Sequence, residues 1–128
     1  MNPDGSFPDE PRSFDPSCDR YDDCYLKHVY VQDQDETYDM VYQWRKLVDD
    51  FTTSRNVAPK VLMTESYARI DLIQRFYGNG TVEGAQIPFN FELIKNVDAN
   101  STAEDYKNII EEWLRLMPAG HMANWVVS

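Results

Sequence analysis

The chain has 128 residues, of which 42% are hydrophobic and 13% aromatic, enough core-forming side chains for one domain and too many for a disordered segment. Its 22 acidic and 12 basic residues leave a net charge of −10, which argues against nucleic acid or an anionic membrane surface as partner, because both are bound through Lys and Arg. No apolar run approaches the roughly 20 residues of a membrane-spanning helix. The N-terminal stretch also lacks a positive start followed by an apolar run, so it holds no signal peptide and taken alone reads as cytosolic.

Residues 1–34 read as an acidic loop. Pro3, Pro8, Pro11 and Pro16 break any helix, and Asp and Ser fill the gaps. A stretch this long without regular structure suggests an excursion from a larger fold or a free tail. The Asp residues lack the spacing and the glycine of a calcium loop, so a solvated acidic surface is the simpler reading. Cys18 and Cys24 do not have a usual zinc spacing, and His28 and His121 are too far apart to complete a metal site; His28 and His121 therefore read as loop or structural residues. A disulfide in an oxidising compartment and two free thiols stand level on the spacing.

Met40, Val41, Trp44, Leu47, Val48 and Phe51 recur at helical spacing, which predicts a helix from Glu36 to Ser54 with that face buried. Asp35 is placed to cap it, and Glu36 and Asp39 suit its first turn. Beyond Pro59, residues 60–64 (Lys-Val-Leu-Met-Thr) read as a short buried strand closed by Glu65. A second helix is expected over 67–77, stopped by Gly78-Asn79-Gly80. Residues 85–91 form a candidate strand that Pro88 would ordinarily confine to a sheet edge. Ser101-x-x-Glu104 has the form of a capping box opening a third helix, with Tyr106, Ile109, Ile110, Trp113, Leu114 and Met117 on its apolar face. A last strand is expected over 123–127. Helices alternating with strands imply parallel strands joined by crossovers. Asn79-Gly80-Thr81 and Asn100-Ser101-Thr102 match the glycosylation pattern, and with the cysteine pair they tilt the parent protein toward a secretory route.

Four stretches carry a resemblance. They are Tyr38-Asp39-Met40-Val41-Tyr42-Gln43-Trp44-Arg45, Val61-Leu62-Met63-Thr64-Glu65-Ser66-Tyr67, residues 80–91 from Gly80 to Phe91, and Met117-Pro118-Ala119-Gly120. In this order the chain resembles insect maltases of glycoside hydrolase family 13 over essentially its whole length. The resemblance implies an α/β fold that is part of a (β/α)8 barrel, from the loop after strand 4 to strand 7. Residues 1–34 would be its acidic Pro-rich loop and 35–128 the partial barrel.

The resemblance further implies retaining hydrolysis of α-glucosides such as maltose-like oligosaccharides or sucrose. Glu65 corresponds to the general acid/base, and Tyr67 and Phe91 to aromatics on the leaving-group side of the pocket. The two cysteines fall in the acidic loop that the likeness includes, and Cys18–Cys24 is taken as a disulfide. Asn79 and Asn100 are taken as glycan acceptors. No metal or cofactor is implied for this chain; calcium use and membrane anchoring of the parent stay open, and the parent is expected outside the cell. The family's nucleophile would lie ahead of Met1 and its third carboxylate beyond Ser128, so the chain alone is expected to be inactive and to need the other barrel segments as partners. The rival reading is a binding module akin to amino-acid transporter heavy-chain ectodomains; keeping Glu65 favours the enzyme. A third is an inactive decayed or spliced product.

Overall fold

The computed structural model describes residues 2–127, which divide between Gln34 and Asp35 into two compact units. The first unit is loop apart from one 3-10 turn, Asp23–Tyr25. It is nonetheless tied together. Cys18 and Cys24 are joined as a disulfide with their Cα atoms 5.8 Å apart. An isolated antiparallel bridge pairs Arg12 with Leu26. The Glu10 carboxylate accepts the N–H groups of Val29, Tyr30 and Val31 at 2.7, 2.8 and 2.9 Å, so three consecutive backbone donors close on one side chain.

The second unit runs α1 (Asp35–Arg55), β1 (Met63–Thr64), α2 (Ile70–Ile73), a 3-10 turn (Gln74–Tyr77), β2 (Ile87–Asn90), α3 (Glu92–Asn96), α4 (Ala103–Leu116) and β3 (Asn124–Trp125). The strands form one parallel sheet in the order β1-β2-β3. Met63 pairs with Ile87 and Thr64 with Pro88; Phe89 pairs with Asn124 and Asn90 with Trp125. The core gathers Tyr38, Val41, Tyr42, Ala68, Ile73, Phe76, Tyr77, Ala85 and Trp113. Trp113 is fully buried; a ring of this size contributes roughly 4–6 kcal/mol before the entropy of ordering is subtracted. Two tyrosines fasten the core by their hydroxyls: Tyr42 donates to the Arg75 carbonyl at 2.6 Å and Tyr77 to the Met122 carbonyl at 2.8 Å. Burial raises the pKa of both above the ordinary tyrosine range.

The three parallel strands agree with the expected α/β piece of a sheet, whereas several finer expectations differ. The buried face of α1 is Tyr38, Val41, Tyr42, Arg45 and Thr52, whereas Met40, Trp44, Leu47 and Phe51 are exposed. Both stripes have helical spacing; the inner one is chosen by the hydroxyls and guanidinium that find partners there. Asp35 lies inside α1 rather than ahead of it. The second helix is shorter than its apolar pattern, a single α-turn followed by a 3-10 turn. The strands are also shorter than the apolar runs that predicted them. Pro88 sits in the central strand. Around it Gln86 and Ile87 donate to the Leu62 carbonyl on one side, and the β3 pairing begins only at Phe89 on the other, so no β3 bond is lost to the missing N–H.

The helix α4 starts one residue later than the Ser101-x-x-Glu104 pattern. Thr102 is the cap: its hydroxyl accepts the Asp105 N–H, and the Asp105 carboxylate accepts the Thr102 N–H at 2.7 Å. Ser101 is engaged instead with the Asp98 N–H at 2.9 Å. Bonds from Thr102 hold the Asp105 carboxyl below its usual 3.8, so its contribution to the cap is complete above that range and is lost as pH falls through the lowered value. On the apolar face of α4, Tyr106, Ile110 and Leu114 are exposed and only Trp113 is buried.

Thr102→Ala is expected to cost about 1 kcal/mol, while Ser101→Ala leaves the helix capped; urea unfolding followed by Trp fluorescence separates the two. The exposed row Met40, Trp44, Leu47 and Phe51 is expected to make the isolated chain self-associate. Leu47→Glu, itself 68% exposed, is expected to shift sedimentation toward monomer; an unchanged distribution refutes this role for the row.

Candidate active site

In a parallel sheet all strands end on the same edge, and here that edge collects the residues of interest. β1 ends at Thr64, so Glu65 is the first residue past its C-terminal end; β2 ends at Asn90, so Phe91 is the first past its own. Along β2, Pro88 and Asn90 are buried while Ile87 and Phe89 are half covered; along β1, Met63 is exposed and Thr64 half covered. The period-two alternation of a strand puts Glu65 on the Met63 side, the open side. Glu65 is exposed and makes no hydrogen bond or ion pair with any described residue. A carboxyl in this position is free to meet a ligand and is not consumed by structure.

Tyr67 and Phe91 come together as a stacked pair, ring centroids 4.3 Å apart and planes within 10°. Their exposures differ sharply, 60% for Tyr67 and 6% for Phe91. Phe91 is therefore the backing and Tyr67 the presented face. Phe89 meets Phe91 edge-on at 6.0 Å, which fixes the backing ring from a second side.

The residues next to the pair in sequence carry a polar network that sequence patterning missed. Asn90 is fully buried, and its Oδ1 accepts the Glu92 N–H at 2.9 Å. Glu92, itself buried, takes hydrogen bonds from Lys95 at 3.0 Å and Asn96 at 2.8 Å, and Lys95 also reaches the Ala68 carbonyl at 3.5 Å. Ala68 follows Tyr67, so the network ties the loop after β1 to α3. The sequence signal was available: a Glu three residues before a Lys, immediately after a predicted strand. The turn α3 was too short to show periodicity. Two buried polar atoms near the strand ends, Thr64 Oγ1 and Asn90 Nδ2, have no partner.

The other candidates have contacts of their own. His121 lies 4.0 Å from Glu83 with its ring 4.7 Å from that of Tyr77. His28, in the first unit, bonds the Asp23 carbonyl at 2.8 Å. Asn79 and Asn100 are both exposed. Among the described residues no cluster of His, Cys, Asp and Glu could hold a metal ion.

Comparison with known proteins matches residues 2–128 to the catalytic domain of alpha amylase. The chain is 45% identical over 125 residues to a salivary alpha-glucosidase of Anopheles gambiae, covering 98% of this chain and 21% of that protein. It is 45% identical over 124 residues to Maltase A1 of Drosophila melanogaster, covering 95% of this chain and 22% of that protein. A weaker match, 29% over 106 residues, is to a human amino acid transporter heavy chain, covering 80% of this chain and 15% of that protein. The chain thus spans about a fifth of the length of the curated relatives it matches most strongly.

The unequal burial of the stacked pair sets unequal costs. Phe91→Ala is expected to destabilise by about 3–5 kcal/mol, as for other buried aromatic truncations. Tyr67→Ala is expected to cost about 1 kcal/mol, the value of the stacking contact alone. Chemical denaturation of the two variants checks the ordering; equal losses would mean that Tyr67 is as much a core residue as Phe91.

Proposed function

Because the chain belongs to the alpha-amylase catalytic-domain family, we propose that it is a segment of an α-glucosidase in which Glu65 is the general acid/base of a retaining mechanism. The observation that carries this reading is the placement of an unengaged, exposed carboxyl immediately past the C-terminal end of a parallel strand, the edge on which α/β barrels build their sites. In that framework the three strands form one sector of a (β/α)8 barrel, and the more open side, with Met63, Ile87 and Phe89, faces its interior.

Retaining hydrolysis needs two carboxyl groups about 5–5.5 Å apart. Glu65 supplies one. As an acid it gives its proton to the glycosidic oxygen while a nucleophilic carboxylate, carried elsewhere in the longer protein, bonds to the anomeric carbon. As a base it then takes a proton from the water that releases the glycosyl group. Tyr67, backed by Phe91, offers a flat apolar face two residues from Glu65 on which a sugar ring of the leaving group can stack. The substrates that fit are terminal α-1,4-linked glucosides of the maltose type, or sucrose, both uncharged and so compatible with a net charge of −10. The names of the stronger relatives, an alpha-glucosidase from saliva and a maltase, support an extracellular parent, as do the Cys18–Cys24 disulfide and the acceptors Asn79 and Asn100. The identity of 45% to the glucosidases against 29% to the transporter heavy chain favours the enzyme over a binding module.

The isolated chain is expected to release no p-nitrophenol from p-nitrophenyl α-glucoside. In the longer protein, Glu65→Gln is expected to lower turnover by about 10²–10⁴-fold, the usual contribution of a positioned proton donor. The loss should shrink for substrates whose leaving group departs without protonation. Unchanged turnover on maltose would reject Glu65 as the acid/base.

A further inference from the structure

The turn that leads into β2 carries a chemistry of its own. Residues 76–85 close into a small hairpin. Ala85 N–H donates to the Phe76 carbonyl at 2.7 Å, Gly84 N–H to the Tyr77 carbonyl at 2.8 Å, and Asn79 N–H to the Val82 carbonyl at 3.1 Å. A Cβ at Gly84 would collide with the Phe76 carbonyl, so the hairpin closes only around a glycine there. At its tip the Asn79 side chain takes the place of a main-chain acceptor: its Oδ1 receives the Thr81 N–H at 3.0 Å and the Val82 N–H at 2.9 Å.

Three further facts meet at this tip. The next residue is Gly80, with φ +85°, and nothing lies within 4 Å of where its Cβ would be. Its N–H has no hydrogen-bond partner among the described residues, and neither does Asn79 Nδ2. Asn79 is exposed to water. Other asparagines differ in the group that follows them. The N–H after Asn56 donates to the Thr52 carbonyl, that after Asn96 to the Leu93 carbonyl, and that after Asn100 to the Asp98 carbonyl. All three are also followed by a residue that has a Cβ.

A backbone nitrogen one residue beyond an asparagine closes a five-membered ring when it bonds to that side chain's Cγ. Two N–H donors on Oδ1 stabilise the negative charge that builds on the oxygen during addition, as an oxyanion hole does. An unshielded, unbonded nucleophile held next to its target needs no rearrangement to be reached by base. We propose that Asn79–Gly80 is a self-modifying site, where the native turn promotes succinimide formation and thereby conversion of Asn79 to aspartate and isoaspartate.

The steps balance without any co-reactant but water. The Gly80 nitrogen loses its proton and bonds to Cγ. The Cγ–Nδ2 bond breaks, and ammonia leaves with that proton. Water then opens the ring at one of its two carbonyls, giving either an ordinary aspartyl bond or one routed through the side chain. Either product removes the amide of the Asn79-Gly80-Thr81 acceptor pattern and adds one negative charge at the tip of the turn.

The test uses the full chain made in bacteria, where no glycan is added, held at mildly alkaline pH and followed by peptide mapping that separates aspartate from isoaspartate. Residue 79 is expected to convert at least about tenfold faster than Asn100 in the same molecules, and Gly80→Ala to slow it by about tenfold or more. Wild-type chain in native buffer is compared with wild-type chain in urea, which makes the result independent of whether any variant folds. Equal rates at 79 and 100 overturn the proposal. So does conversion at 79 that is as fast or faster in urea than in native buffer, since the turn would then not promote the reaction.

Discussion

The second unit hangs on one buried guanidinium. Arg45 is 2% exposed, yet it projects from the middle of α1. Its Nε and Nη2 grip the Asp49 carboxylate one turn on, with Nε at 2.8 Å from Oδ2. Its Nη1 donates to the Lys60 carbonyl at 2.9 Å and to the Gln86 side-chain oxygen at 2.8 Å. That same oxygen also accepts the Leu62 N–H at 2.9 Å. One planar donor thus fastens α1 to the segment entering β1, and through Gln86 to the segment entering β2. Because β1 and β2 are each only a few residues long, their own ladder cannot fix the register firmly. The Arg45 clamp braces the start of each strand. Glu65 and Phe91 share an edge because β1 and β2 run parallel. A burial this complete would be costly for an unpaired charge, and its acceptors are what make it stable.

The same clamp explains where sequence reading succeeded and where it misled. Element order was legible because apolar periodicity changes from helical to strand-like at Pro59 and again at Gly78 and Pro118. The orientation of α1 was not. Periodicity ranks faces by hydrophobicity, and Met40, Trp44, Leu47 and Phe51 outrank a face holding Tyr38, Arg45 and Thr52. The polar-looking face is nonetheless the inner one, since Tyr42 and Arg45 bring their own hydrogen-bond partners. Capping failed by one residue for a related reason. Ser101 and Thr102 are equivalent on paper, and the choice between them is made by Asp98, which engages Ser101. Pro88 does not prevent the strand expected over 85–91, because the β3 pairing begins past it.

The site was read in part. Glu65 drew notice through a family likeness and not through pattern, since a Glu after a short strand is ordinarily a surface residue. The pairing of Tyr67 with Phe91 was invisible in sequence, because the two residues are separated by a helix and a strand. What patterning could not supply at all is the division of labour between them. Burial assigns the support to Phe91 and leaves Tyr67 outward. The Asn90, Glu92 and Lys95 network next to the pair in sequence belongs to a five-residue helix, below the length at which periodicity speaks.

The exposed stripe of α1, the exposed residues of α4 and the open side of the sheet have one physical origin. Parallel sheets are stable when covered on both faces, and helices beside such a sheet are covered on two sides, by strands and by neighbouring helices. In this chain Trp113 and Val41 are buried while Leu114 and Trp44 on the next faces are not. Along β2, Pro88 and Asn90 are buried while Ile87 and Phe89 are half covered. Each element therefore shows one satisfied face and one unsatisfied face, and the unsatisfied face of β1 is the one that carries Glu65. For the proton donor proposed at Glu65 this matters more than for a core residue. Its acidity is tuned by the low-dielectric walls and neighbouring charge that a closed site provides, so the covering that would complete the packing is the same covering that would make the carboxyl catalytic.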